Sequence, residues 1–146
     1  MSLVLVILLP TIALASGGPF GLGIIVGEPT GVSLKYQMNE KNAIDGAVAW
    51  SLSGDNDLHL HADYLIHWYD IITVKKGQLP LYAGLGGRIE FRENRDNLIG
   101  LRIPVGLAYL FAGSPFDAFV ELVPVLDLAP DTDFDLEGAL GARFWF

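Results

Sequence analysis

The chain of 146 residues has no cysteine, which removes disulfides and thiolate metal sites and leaves its compartment open. Positive charge is also scarce. Nine Lys and Arg stand against 17 Asp and Glu, a formal net charge of −8, whereas a nucleic-acid partner needs clustered cations. Charged residues of either sign make up 18% of the chain, below the roughly one quarter usual in soluble domains. Beyond residue 19 no helical periodicity of useful length occurs. No linker, low-complexity tract or second domain is visible, and the length suits one domain with one core.

What is present is apolar, glycine-rich and alternating. Half of the residues are apolar and 17 are glycine. Residues 3–15 form a largely apolar run that ends in Ala13-Leu14-Ala15, a small-x-small cleavage pattern, although no Lys or Arg precedes it. The run is shorter than the roughly 20 residues of a membrane-spanning helix. It reads as a signal peptide over residues 1–15, followed by one domain over residues 16–146.

Period-2 alternation then predicts eight strands, at about residues 20–27, 31–38, 43–52, 57–69, 80–91, 98–111, 116–128 and 134–146. Turn-forming clusters such as "EPTG", "NEKN", "SGDN", "RENRDN" and "APDTD" separate them. Most of these segments reach the roughly 9–11 residues that a tilted transmembrane strand needs. Short connections and regular spacing predict an all-β fold, an eight-stranded antiparallel up-and-down meander closed into a barrel of the membrane type.

Three features put the polar face inside. That face also carries the small residues, including Gly21, Gly84, Gly86, Gly100, Gly106 and Gly141, which suits a narrow eight-stranded interior. Large aromatics of the apolar face lie toward strand ends, as with Trp50, Trp68, Phe91, Tyr109, Phe111, Phe116 and Phe134, the girdle pattern of a membrane barrel. The chain stops on the apolar face, at Phe144 and Phe146. Inward positions would then be Lys35, Asp45, His59, His61, Asp63, His67, Tyr82, Arg88, Glu90, Arg102, Asp117, Glu121, Asp127, Asp135, Glu137 and Arg143. Buried charges persist when paired, so Arg88, Arg102 and Arg143 are expected to bridge carboxylates on neighbouring strands in a filled lumen with no open pore.

The stretch "DLHLHADYLIHWYD" holds all three histidines. His59 and His61 lie about 7 Å apart along a strand, close enough to share a metal with Asp63 or a cross-strand carboxylate, while His67 lies about 20 Å further on. The competing reading is that all three belong to the lumen network. A catalytic reading needs a nucleophile beside a base. Pairing across "SGDN" would set Ser51 opposite His59, with Asp57 or Asp63 orienting the ring. Pro80, Pro104 and Pro124 fall within or at the edge of strands, where a missing N–H deletes a ladder hydrogen bond. They predict a bulge, a strand start or a lateral opening in the wall.

The ending "LEGALGARFWF" resembles the C-terminal recognition signal of Gram-negative outer-membrane barrels, and the strand count is similar to small barrels of the OmpA and OmpX type. "GEPTGVSLKY", "LHLHADYLIH", "LPLYAGLGGRI", "RIPVGLAYLF" and "APDTDF" resemble segments of a group of small bacterial envelope proteins, a likeness that implies no particular activity. The resemblance implies an outer-membrane location, outer-membrane lipid around the wall, and a contact of Phe144 and Phe146 with the barrel-assembly machinery. The first reading is thus a non-enzymatic, monomeric structural or interaction component of the envelope, without cofactor or catalytic residues. The alternatives are a lipid-modifying or lipid-binding enzyme at His59, Ser51 and Asp63, and a soluble periplasmic lipocalin-like carrier with an apolar pocket.

Overall fold

The computed structural model describes residues 18–27, 30–50, 57–92 and 96–146. The signal-peptide reading and Ser51 lie outside these residues. Nine strands follow one another: β1 (Phe20–Gly27), β2 (Gly31–Gln37), β3 (Asn42–Trp50), β4 (Leu58–Trp68), β5 (Leu81–Phe91), β6 (Leu98–Arg102), β7 (Val105–Leu110), β8 (Phe116–Ala129) and β9 (Asp133–Trp145). Each pairs antiparallel with its sequence neighbours, except that β6 and β7 share one place between β5 and β8. β1 pairs with β9, from Gly21 opposite Trp145 to Gly27 opposite Ala139, and this closes the ring. The architecture is therefore an eight-position antiparallel meander without a free sheet edge, the arrangement that removes unpaired edges from an all-β chain.

The predicted sixth strand, over 98–111, is interrupted where its proline was expected to mark a local break. Pro104 divides it after Arg102. The Gly84 N–H donates to the Pro104 carbonyl at 3.0 Å, and the Ile103 N–H donates to the Pro124 carbonyl at 3.0 Å. Neither proline has an N–H with which to return a bond. Pro80 lies just before β5, while Pro124 stays inside β8 opposite Leu136.

Alternation decides what each face meets. Outward side chains are apolar and open, as with Ile24, Leu85 and Leu140, which are 60%, 59% and 59% exposed on the isolated chain. Inward ones are polar and closed off, and Arg102 is 0% exposed. A lipocalin-like carrier needs the opposite order, an apolar interior, whereas here the buried charged side chains point inward. Inward apolar groups such as Leu65, Phe119, Val123 and Val125 fill space between the charges.

Glycine makes room for those inward groups in a repeated way. Gly86 lies opposite Asp63, Gly106 opposite Tyr82, and Gly141 opposite Phe119. A Cβ at these three positions would come within 1.9 Å of Asp63 Oδ1, 2.6 Å of the Tyr82 ring and 2.5 Å of the Phe119 ring, respectively. Each large inward side chain lies over the bare backbone of its cross-strand partner, which is why strand glycines and bulky residues coexist on one face.

The two ends of the barrel differ. At the end that holds Phe20 and Phe146, aromatic rings form a belt. Phe20 meets Tyr36 at 4.8 Å between centroids, Phe116 meets Phe144 at 5.1 Å, and Tyr109 meets Phe111 at 4.8 Å. Residues 69–80 also lie at this end, held by Tyr109 Oη donating to the Lys76 carbonyl at 2.8 Å and by a two-way backbone pair between Gln78 and Leu110. A cavity of about 800 Å³, lined by Gln37, Tyr69, Gln78, Leu110, Phe116 and Trp145 among others, opens there. At the opposite end a polar mouth of about 580 Å³ is lined by Glu90, Asp127, Asp131, Asp133, Asp135 and Glu137, with Arg88 and Arg92.

Candidate functional site: a charged interior

The interior is built from three guanidinium groups at successive depths. Nearest the acidic mouth, Arg88 of β5 donates from Nη2 to both Asp127 oxygens, at 2.9 and 2.8 Å, and from Nη1 to Glu137. At mid-height, Arg102 donates from Nε and Nη2 to Asp63 at 2.9 and 3.1 Å, and stands 3.6 Å from both Glu121 and Glu137. Toward the aromatic end, Arg143 donates from Nε to Ser33 Oγ at 3.2 Å, lies 3.7 Å from both Asp45 and Asp117, and covers the Phe119 ring at 3.9 Å.

Two of the expected neighbouring-strand bridges form, Arg143 with Asp117 directly opposite it on β8 and Arg102 with Glu121 on the paired β8, while the other partners lie further round the ring. Arg88 on β5 reaches β8 and β9, and Arg102 on β6 reaches β4, β8 and β9. In a ring this narrow the shortest route between charges runs across the lumen. Arg88 thus spans two and three ring places, and Arg102 up to two, tying together strands that do not pair.

Further groups complete the lining. Tyr82 Oη donates to Glu121 at 2.7 Å, and Trp145 Nε1 donates to Asp117 at 2.9 Å. Lys35 Nζ lies 2.7 Å from His67 Nε2, and His67 Nδ1 lies 3.1 Å from the Lys41 carbonyl. A proton on Nδ1 satisfies both contacts, with the carbonyl accepting and Nε2 accepting from the ammonium. His67 thereby belongs to the Lys35 end of the lumen. Glu90 faces His59 across β4 and β5, is half-buried at the mouth, and has no ion pair among the described residues. Asp135 is exposed at that mouth.

His59 and His61 touch each other. His61 Nδ1 is 3.4 Å from His59 Nε2, and His61 Nε2 is 3.7 Å from Asp63 Oδ2. Among the described residues, the ligand-bearing atoms that converge are those of Asp45, His61 and Asp63, all within 4.8 Å of one another. Asp45 and Asp63 are direct cross-strand partners, a pairing the parity argument contained but did not single out.

The catalytic reading requires a correction. Register places Ala49 opposite His59 and Trp50 opposite Leu58, so Ser51 does not face His59. The predicted pairing sets positions 51 and 59 opposite each other, whereas the ladder runs from Asn42 opposite Ile66 to Trp50 opposite Leu58, two residues away from that register.

A closed β-ring with charged side chains within and an apolar belt without is the face order of a transmembrane barrel. The N-terminal β-barrel domain of Pseudomonas aeruginosa OprF, a solved structure, is similar to this chain with a TM-score of 0.56 at 19% identity, over 87% of this chain and 95% of that one. No protein-family model and no curated protein matches the sequence. At that identity the likeness shows a shared fold, an antiparallel β-barrel of the outer-membrane type.

Proposed function

We propose that the protein is a small outer-membrane barrel of a Gram-negative envelope, monomeric, with a filled lumen and a structural or interaction role. The observation that carries this reading is the inverted order of its faces. Exposed Ile, Leu, Val and Phe side chains surround the ring while Lys35, three arginines and six carboxylates are buried inside it, an arrangement that water would penalise and lipid would favour. The filled-lumen part of the reading is supported by Arg102, Tyr82, Leu65, Val123 and Val125, all nearly without solvent exposure, and by eight ring positions leaving little more than side-chain space. Passage of bulk solutes is not part of this function.

Fractionation of cells expressing the tagged protein tests the proposal, combined with electrophoresis of boiled and unboiled samples. Recovery with outer membranes and faster migration of the unheated band are the expected results. Recovery in the soluble periplasmic fraction without detergent overturns the reading.

A further inference from the structure

We propose that Asp45, His61 and Asp63 form a divalent-cation site at the centre of the lumen. The inference is independent of where the barrel resides.

The three residues are buried on adjacent strands, and their ligand atoms lie within 4.8 Å of one another. Asp45 and Asp63 face each other directly, a placement of like charges that costs stability unless something positive lies between them. Arg102 answers Asp63 with two hydrogen bonds. Asp45 has no such partner: its Oδ1 is buried without a hydrogen bond, and its nearest guanidinium nitrogen, on Arg143, is 3.7 Å from the other oxygen. Asp45 itself is 5% exposed, so water does not readily compensate.

His61 supplies the neutral ligand. A proton on Nδ1, donated to His59 Nε2 at 3.4 Å, leaves the Nε2 lone pair on the side of Asp63. This is the second-shell arrangement by which a hydrogen bond on one ring nitrogen sets the other as a metal ligand. Three side chains that can each offer a ligand atom then converge.

Charge balance points the same way. Counted at formal charge, the buried side chains comprise four cations, Lys35, Arg88, Arg102 and Arg143, against six carboxylates, a formal excess of two negative charges. One divalent ion cancels that excess. One nitrogen and two carboxylate oxygens suit zinc or a neighbouring transition metal, at about 2.0–2.2 Å after modest contraction. Glu90 at the acidic mouth is the cross-strand partner of His59, which is next to His61 on the inward face, so the negative mouth concentrates cations at the end of the lumen nearer His59, with Arg88, the cross-strand partner of His61, between mouth and site.

The test is calorimetric titration of zinc into the folded, chelator-treated protein in detergent. One ion per chain is expected. Asp45→Asn and His61→Gln should each weaken binding at least tenfold, and His59→Ala by about 10–100-fold through loss of ring orientation. His67→Gln should bind as the parent does. Binding that survives both Asp45→Asn and His61→Gln would place the ion in the acidic mouth and overturn the proposal, as would no binding at all. X-ray absorption of the zinc-loaded parent protein gives a check that needs no variant to fold: a shell of one imidazole with oxygens supports the site, and a shell without imidazole overturns it.

Discussion

Asp63 and Arg102 meet over a glycine. β5 separates their strands, and the rung between them carries Gly86, so the guanidinium crosses a whole strand to place Nε 2.9 Å from Asp63 Oδ1. Neither partner has a shorter alternative. Their union is the mid-height tie of the lumen.

Gly86→Ala should break that tie. The new Cβ would lie 1.9 Å from Asp63 Oδ1 and 2.2 Å from the Ala62 carbonyl, forcing the carboxylate out of place. Gly87→Ala is the matched control, because its Cβ would meet nothing closer than 3.6 Å. Loss of the folded, fast-migrating band should occur at clearly lower temperature for Gly86→Ala and unchanged temperature for Gly87→Ala.

Arg102→Met leaves Asp63 buried without its counter-charge, a change that costs about 3–5 kcal/mol when a buried pair loses one member. Adding Asp63→Leu should recover a large part of that loss, since replacing both partners removes the stranded charge. Urea titration of folded fraction in detergent or lipid vesicles measures the cycle. Equal stability of the single and double variants would contradict the pairing.

Leu85→Arg distinguishes lipid from water outside the ring. Leu85 lies mid-way along β5 and points outward. Facing lipid, arginine there should cost about 2–4 kcal/mol, the penalty for a cation near a bilayer midplane. A water-facing wall would accept the same change with little effect, and folding into vesicles reads out the difference.

Phe146 has two separable roles. Its backbone closes the ring by exchanging hydrogen bonds with Phe20, and its side chain stacks on Phe144 at 6.4 Å. Phe146→Ser keeps the backbone pair, so folding from urea into detergent should be nearly unchanged. If the ring also serves assembly in cells, the amount of folded barrel in outer membranes should drop several-fold.

The eight ring places and the division into faces were legible because period-2 alternation reports them directly, and turn residues punctuate each strand. The Pro104 break was legible from chemistry, as proline has no N–H. Cross-lumen partners were not. Parity told that Arg88 points inward, but choosing Asp127 and Glu137 over a nearer carboxylate depends on depth and ring diameter, which come from the register of every strand at once. The Ser51 pairing failed for a related reason: the register of β3 against β4, which sets Ala49 opposite His59, could not be read from turn residues alone.

The paired prolines of the wall leave a mechanical mark. At two neighbouring rungs, Gly84 with Pro104 and Ile103 with Pro124, each proline accepts a bond it cannot return, so the hoop is laced with half its stitches there. A closed hoop under tension parts at its weakest seam. Amides flanking this seam should exchange with deuterium before those of the fully laced β3–β4 wall, making it the place where the barrel first yields.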